Sequence, residues 1–240
     1  MSLTTWTPAA IASKATAFSQ TMGRLALKGA QSSIYKITDS SDEAALVAKT
    51  ITRQRTNSSL ALGELHPLMR EPFTAKAFPG GSRFRTQFDP GVFYCADRFE
   101  TAAAERGYHH HLFVKNSPEL ESSGATAFTF FTVDLSIDLV DVRLAPFSKS
   151  PQIFHDKNSY AQSQRFASLV RQAGVPGIKY TSVRNPKKAF CVAMLSPTGF
   201  AASQPTSWDE NWFCIADRKG ARWFNNSSHA AATPVSFSYE

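Results

Sequence analysis

The chain has 240 residues, 42% of them hydrophobic and 12% aromatic, which is enough for a sizeable core and excludes wholesale disorder. Its 26 lysines and arginines against 19 aspartates and glutamates give a net charge of +7, which favours polyanionic ligands such as nucleic acid or a phosphate-bearing small molecule. The positive residues are spread in pairs rather than blocks, so no nucleic-acid-binding tail is indicated.

Helical composition dominates the start of the chain. Ala9–Phe18 is rich in good helix formers and contains no Gly or Pro, and Asp39–Leu46 begins like a capped helix. Arg53–Gly63 is polar with weak periodicity, which is typical of a connection. Further on, Pro and Gly residues separate short extended pieces. We therefore expect a helical N-terminal extension at residues 1–64 and a second unit at residues 65–240.

The second unit alternates short strands with a few helices. Asp97 and Glu100 have the spacing of a capping box at the start of a helix that runs from Phe99 to about Val114. A second capping box at Ser159–Gln162 begins a helix that Gly174 ends. The predicted strands are Val92–Cys95, Phe128–Ile137, Ile178–Ser182, Phe190–Leu195, Asn211–Ala216 and Ala221–Phe224. The strands and helices do not alternate as in a series of βαβ units. This order therefore predicts an α+β fold around a mostly antiparallel sheet, preceded by a helical N-terminal segment.

The sequence shows neither a membrane-spanning segment nor a secretory signal. The longest apolar runs, Ala125–Val133 and Ala189–Leu195, are far shorter than the roughly 20 residues that a membrane-spanning helix needs. The first eight residues have neither the positive nor the apolar region of a secretory signal. The three cysteines have no CxxC spacing, which argues against a disulfide framework: Cys95, Cys191 and Cys214. We expect a cytoplasmic protein that does not bind a membrane.

Two clusters invite a metal site, but neither has ligand spacing. The successive histidines His109–His111 point about 100° apart on a helix and cannot converge on one ion. Asp134 and Asp138 lie on the polar face of a predicted strand, as solvated carboxylates commonly do. We predict no metal. Nucleotide-binding and hydrolase motifs are also missing from the sequence.

Four pieces of the sequence, in this order, resemble the RES domain family. They are Pro79–Arg85, Gly91–Ala96, Glu100–His109 and Gly177–Pro186, the last preceded by a helix at Gln162–Gly174. The resemblance covers about residues 65–200, so that we interpret 65–240 as a RES domain. The N-terminal segment is similar to that of the longer members of the family.

This resemblance implies a fold of the ADP-ribosyltransferase type and a toxin from a toxin–antitoxin system. RES proteins consume NAD⁺, as a substrate, by splitting off nicotinamide or by transferring ADP-ribose to a target protein. The usual partner of such a toxin is an Xre-like antitoxin that covers the active site. The resemblance therefore implies three partners here: NAD⁺, a cognate antitoxin and, for a transferase, a protein acceptor.

The matched residues receive roles from the same resemblance. Glu105 is the candidate catalytic carboxylate, because cleavage of the nicotinamide–ribose bond develops positive charge that a carboxylate stabilises. Arg83 is the candidate for binding the pyrophosphate. Tyr94 is expected to offer an aromatic face to the nicotinamide ring, and Ser182 a hydrogen bond to the nicotinamide amide or the ribose.

One stretch departs from the family pattern. Long members have a Phe-Arg-Tyr triplet after a proline, whereas this chain has Pro72–Ala75, with Thr74 and Ala75 in place of the arginine and the tyrosine. Arg70 and Lys76 are the nearby alternatives for the missing cation, and Arg83 acting alone is the third. The departure also motivates a second hypothesis, a RES scaffold that binds NAD⁺ or a partner without turnover. A basic nucleic-acid-binding protein, based only on the net charge, ranks last.

Overall fold

The structure is a computed structural model, and it describes residues 6–28, 59–77, 79–187, 189–226 and 234–239. Within these residues the helices are α1 Pro8–Ala12, α2 Ser59–Glu64, α3 Pro67–Thr74, α4 Phe99–Lys115, α5 Gln152–His155 and α6 Ala161–Gln172. The strands are β1 Thr16–Leu27, β2 Phe93–Ala96, β3 Thr126–Asp141, β4 Gly177–Thr181, β5 Phe190–Met194, β6 Ser207–Ala216, β7 Gly220–Asn225 and β8 Val235–Ser238. None of these helices has the length and apolar character needed to cross a membrane.

All eight strands belong to one sheet in the order β1-β2-β5-β4-β3-β6-β7-β8. Every pairing is antiparallel except that of β3 with β4. A further pairing of β1 with β3 joins β1, β2, β5, β4 and β3 into a closed ring. The α+β fold with a mostly antiparallel sheet is therefore confirmed.

The first helix predicted from the sequence is wrong beyond its first turn. Only Pro8–Ala12 is helical, and Thr16–Leu27 is a strand that pairs with β3 over twelve residue pairs. Met22 and Leu25 of this strand are buried. Long-range pairing and burial override the weak helix propensity of the segment. Since β1 lies in the common sheet, the boundary at residues 64 and 65 stays a prediction.

Other local predictions have mixed outcomes. The helix at Phe99 and the strand around Phe128–Ile137 are confirmed, whereas the end of the expected connection Arg53–Gly63 contains helix α2. Asp39–Leu46 lies outside the described residues. Neither capping box forms, because the N-cap positions are Arg98 and Tyr160, and neither side chain caps its helix.

Buried side chains form two clusters on opposite sides of the sheet strands. Helices α4 and α6 pack on the first cluster, whose largest members are Phe84, Phe128, Phe154, Phe166 and Trp223. Helices α2 and α3 pack on the second cluster, whose largest members include Met22, Met69, Phe93 and Phe131. Alternation along β2 sends Phe93 to the second cluster and Tyr94 to the first. Tyr94 is thus on the same side as helix α4.

Candidate active site

Helix α4 carries Glu105 and is fixed to the far end of the sheet. The Trp223 indole donates to the Ala103 carbonyl at 3.1 Å, and the Tyr239 hydroxyl donates to the Ala104 carbonyl at 2.7 Å. Gly107 permits this close approach, since a Cβ there would lie 2.9 Å from the Tyr239 oxygen. The backbone at Glu105 is therefore held in place on its β7 and β8 side.

Glu105 and Ser182 are 77 residues apart in the sequence and meet directly in the structure. The Ser182 hydroxyl, which follows the last residue of β4 and is buried, donates to Glu105 Oε1 at 2.6 Å. Oε2 of Glu105 makes no hydrogen bond within the described part of the chain. One carboxylate oxygen is thus fixed by the protein, and the other remains available to a ligand.

A chain of hydrogen bonds continues from Ser182 to the start of α4. The Asn185 backbone N–H donates to Ser182 Oγ at 3.1 Å, and the Asn185 side-chain amide donates to Thr101 Oγ1 at 3.1 Å. Thr101 in turn donates to Asp97 Oδ1 at 2.6 Å. Asp97, expected to cap the helix, instead accepts this bond and two from Arg98. The network holds the Ser182 hydroxyl toward Glu105.

Tyr94 is tied to the loop that carries Arg83. Its hydroxyl accepts the Phe84 backbone N–H at 3.0 Å and shares a 2.8 Å hydrogen bond with Ser82. Burial raises the pKa of Tyr94. The Arg24 guanidinium, which the sequence analysis did not single out, donates to the Tyr94 carbonyl at 2.7 Å. Both the side chain and the backbone of Tyr94 are therefore positioned by the protein.

Arg83 is nearly buried and is held by backbone oxygens. Its Nη1 donates to the carbonyls of Phe154 at 2.7 Å and Asp156 at 3.0 Å, and its guanidinium lies 5.0 Å from the Tyr160 ring centre. Nε and Nη2 of Arg83 make no hydrogen bond in the described ranges. The arginine is thus oriented by neutral acceptors and keeps donors for an anion.

The buried Tyr180 is affected by the charges of three of these residues. Burial raises the pKa of Tyr180 well above its ordinary value, and Glu105 and Tyr94 raise it further while Arg83 lowers it. The ring of Tyr180 also meets Phe84 edge-on at 5.0 Å between centres. Among the four residues that the resemblance selected, Ser182 is joined to Glu105, and Tyr94 is joined to the loop of Arg83, but no hydrogen bond links the two pairs within the described ranges.

Arg70 is not part of this group. It lies on α3, whose Met69 and Phe73 pack in the second cluster, whereas α4 packs on the first. Its charge acts on His66, whose pKa is lowered by burial and then by Arg70. Thr74, at the position of the family arginine, donates to the Glu71 carbonyl in its own helix at 3.1 Å. Within the described ranges neither Arg70 nor Thr74 makes a hydrogen bond or ion pair with Glu105, Ser182, Tyr94 or Arg83, and a role for Arg70 stays a prediction.

Two residues that the sequence analysis gave no role lie beside the group. The Arg184 guanidinium stacks 3.3 Å from the Tyr108 ring centre, and its Nη2 donates to the Lys157 carbonyl at 2.7 Å. His109 is exposed, yet desolvation, Arg106 and Arg184 lower its pKa to about 4. In the sequence, Arg184 could have been identified as a candidate site residue by its position two residues after Ser182.

Helix α6 fastens the loop of Arg83 from the other side. The two N–H groups of the Gln164 amide lie within hydrogen-bond distance of three loop carbonyls and share them as acceptors, those of Gly80 at 2.9 Å, Ser82 at 3.0 Å and Arg85 at 3.1 Å. Ser163 Oγ donates to the Arg83 carbonyl at 2.6 Å.

A cleft of about 350 Å³ opens beside this loop, lined by residues 79–81, 158–161 and Gln164. Glu105 does not line it. No group of three His, Cys, Asp or Glu side chains that could hold a metal ion occurs in the described ranges.

A comparison of the sequence with protein-family models finds a match. The model of the RES domain matches residues 61–215. The chain belongs to the RES domain family. The matched range contains Arg83, Tyr94, Glu105 and Ser182, whereas strand β1 of this RES protein precedes it.

A solved structure gives the same fold. A chain in the crystal structure of the M. tuberculosis MbcT-MbcA toxin-antitoxin complex matches with a TM-score of 0.50 and 11% identity. The match covers 82% of this chain and 86% of the other. A comparison with curated proteins returns no match.

Proposed function

We propose that this RES protein is the toxin of a toxin–antitoxin system and consumes NAD⁺ in the cytoplasm. The reaction breaks the nicotinamide–ribose bond, either by hydrolysis or phosphorolysis or by transfer of ADP-ribose to a target protein. The observation that carries the proposal is the 2.6 Å hydrogen bond between Ser182 and Glu105, the two signature residues, beside the arginine-bearing loop. NAD⁺ is the substrate in this proposal, and no metal takes part.

Glu105 has the geometry to stabilise the transition state. Departure of nicotinamide leaves positive charge on the ribose, and a fixed carboxylate nearby lowers the energy of that charge. Ser182 holds Oε1, so the unpartnered Oε2 is the atom that accepts a ribose hydroxyl or activates the incoming water or acceptor. Because the carboxylate is already oriented, little reorganisation is needed at the moment of reaction.

Arg83 has the geometry to bind the negative part of the substrate. Its Nε and Nη2 make no hydrogen bond in the described residues and supply two charge-assisted hydrogen bonds to a phosphate. Tyr94 keeps the loop of Arg83 attached to β2. In this arrangement Tyr94 positions the cationic loop in addition to offering its ring to nicotinamide.

An antitoxin is the partner that this function requires. The structural match is to a chain of a toxin–antitoxin complex, which supports a protein antitoxin as partner. That this antitoxin is Xre-like is part of the proposal and comes from the family resemblance alone. The net charge of +7 suits the diphosphate of NAD⁺ as well as it suits nucleic acid, and therefore gives no separate support to a nucleic-acid-binding function.

The test is nicotinamide release by the purified protein and its Glu105→Gln variant. We expect the wild type to release nicotinamide from NAD⁺ and the variant to do so at least about a hundredfold more slowly. Glu100→Gln, an exposed glutamate on the same helix, is the matched control and should keep wild-type activity. Circular dichroism checks that both variants fold.

The assay is repeated with a cell extract as the source of an acceptor. ADP-ribosylation of an extract protein that depends on Glu105 supports the transferase form of the proposal. NAD⁺ binding without turnover in both assays supports the non-catalytic RES scaffold instead. Turnover that survives Glu105→Gln contradicts the role of this carboxylate.

A further inference from the structure

Arg83 and Arg184 are attached to the same short segment of backbone. Arg83 Nη1 donates to the carbonyls of Phe154 and Asp156, and Arg184 Nη2 donates to the carbonyl of Lys157. The carbonyls of Asp156 and Lys157 are consecutive in the chain. Arg83 and Arg184 are 101 positions apart in the sequence, yet both guanidinium groups are anchored to carbonyls of the same short segment.

No carboxylate neutralises this pair within the described part of the chain. The ion pairs found there join Arg98 to Asp97, Arg143 to Asp141 and Arg171 to Asp89. The nearby Asp156 carboxylate makes no ion pair with either arginine in the described ranges; its Oδ1 accepts the backbone N–H groups of Asn158 and Ser159, and these bonds, followed by the charge of Arg83, lower its pKa. Two guanidinium groups on one segment that make no ion pair there favour the binding of an anion.

His109 is affected by both arginines. Desolvation by burial lowers its pKa most, and the positive charges of Arg106, Arg184 and Arg83 lower it further. His109 is one helical turn beyond Glu105 on α4, so both guanidinium groups act on a side chain close to the carboxylate. The Arg184 backbone N–H also donates to Ser182 Oγ at 3.3 Å, which joins the arginine to the same network.

We infer that Arg83 and Arg184 together form a clamp for a diphosphate, one guanidinium for each phosphate. The inference rests on the proposed function, because it assigns the diphosphate of the dinucleotide to this pair. Tyr108 supports the Arg184 plane from one side, and the Lys157 carbonyl holds one of its nitrogens. Nε and Nη1 of Arg184, like Nε and Nη2 of Arg83, make no hydrogen bond in the described ranges and are available to phosphate oxygens.

The clamp would select the class of substrate. A dinucleotide joined by a diphosphate uses both arginines, a mononucleotide with one phosphate uses one, and a nucleoside uses neither. We therefore expect NAD⁺ and ADP-ribose to bind well, nicotinamide mononucleotide to bind weakly, and nicotinamide riboside to bind most weakly. A site built on Arg83 alone would separate the first two classes much less.

The experiment measures binding affinities by calorimetry on the folded 240-residue chain. Every protein tested carries Glu105→Gln, so that NAD⁺ is not consumed during the titration. The probes are NAD⁺, inorganic pyrophosphate, orthophosphate and nicotinamide riboside. Arg184→Gln should weaken NAD⁺ and pyrophosphate binding about tenfold or more, and riboside binding little. Arg218→Gln is the matched control, because Arg218 also donates to one backbone carbonyl, that of Pro118, at the distant β6–β7 turn.

A second set of variants separates a clamp from a structural role. Arg184→Lys keeps the charge but loses the planar stack on Tyr108, and should bind pyrophosphate with intermediate affinity if Arg184 is a ligand. For one diphosphate held by both residues, the losses in Arg83→Gln and Arg184→Gln should be non-additive in the double variant. Additive losses, or an Arg184→Gln variant that folds and binds pyrophosphate like the wild type, would overturn the clamp.

The outcomes distinguish the clamp from the proposed function. If the wild type cleaves NAD⁺ but its affinity does not depend on Arg184, the clamp is wrong and the function stands. If the wild type does not cleave NAD⁺ yet binds pyrophosphate through Arg83 and Arg184, the clamp stands and the function is wrong. If pyrophosphate and NAD⁺ both fail to bind, the clamp is overturned.

Discussion

The two ends of the candidate site are held in different ways. At the acidic end, Glu105 receives its hydrogen bond from a side chain, and the chain of bonds continues through Ser182, Asn185 and Thr101 to Asp97. At the cationic end, Arg83 and Arg184 are fixed by backbone carbonyls of residues 154–157. The first end is a side-chain network, and the second depends on the shape of the backbone.

This difference follows from the chemistry required of each end. A carboxylate has acceptor oxygens only, so a neutral hydroxyl donor orients it without removing its charge. A guanidinium has donors only, and neutral carbonyl acceptors orient it without forming an ion pair that would compete with a phosphate. In both cases the partner is uncharged, and the charge remains available to the substrate. Substitutions at the acidic end should therefore change kcat, and substitutions at the cationic end should change KM.

The largest expected effect comes from comparing two buried serines. Ser182 and Ser163 each donate a 2.6 Å hydrogen bond, the former to Glu105 and the latter to the Arg83 carbonyl. We expect Ser182→Ala to lower kcat for nicotinamide release about a hundredfold, because the carboxylate loses its fixed orientation. Ser163→Ala should raise KM several-fold and leave kcat nearly unchanged. Steady-state kinetics of the two variants provide the measurement, and equal changes in both parameters for both variants would contradict the division into two ends.

A smaller effect is expected from the glutamine that fixes the loop of Arg83. Gln164→Ala removes the two N–H donors that three loop carbonyls share, and should lower the free energy of unfolding by about 1–3 kcal/mol while raising KM. Gln172→Ala on the same helix is the control, since Gln172 is exposed and makes one long bond to Ser168. Urea denaturation measures both variants. A loss of stability in Gln172→Ala as large as in Gln164→Ala would show that the loop bonds contribute nothing specific.

The sequence predicted the elements whose patterns are local. Helix α4 starts with a run of good helix formers at Ala102–Arg106 and contains no proline, and β3 largely alternates buried apolar with polar residues, so both were predicted within a few residues of their observed bounds. Strand β1 was missed because its twelve pairings with β3 lie more than a hundred residues away along the chain. Its composition alone favours a helix.

The candidate site shows the same limit. The order of the family motifs indicated Glu105 and Ser182, and the structure then supplied their contact. The acceptors of Arg83 are backbone carbonyls, which every residue possesses, so no sequence pattern could have identified the 154–157 segment. Arg70 was chosen by its distance along the chain from Thr74, but α3 packs in the second cluster. Distance in sequence does not determine which side of the sheet a helix covers.

The smallest expected effect is a pH dependence of stability. Burial, followed by the charge of Arg106, lowers the pKa of both His109 and His110 to about 4 from 6.5. Between these values the unfolded chain binds more protons than the folded one, so the free energy of unfolding falls as the pH falls from 6.5 toward 4. The double variant His109→Gln/His110→Gln removes both groups and should show a shallower decline between pH 7 and pH 5. Urea denaturation at several pH values measures the two slopes.

The decline should not vanish in the double variant, because His66 and His155 also have lowered pKa values caused mainly by burial. Equal slopes would mean that the histidines beside the cationic end are protonated as easily in the folded protein as in water, and that the wall of the site is not desolvated there.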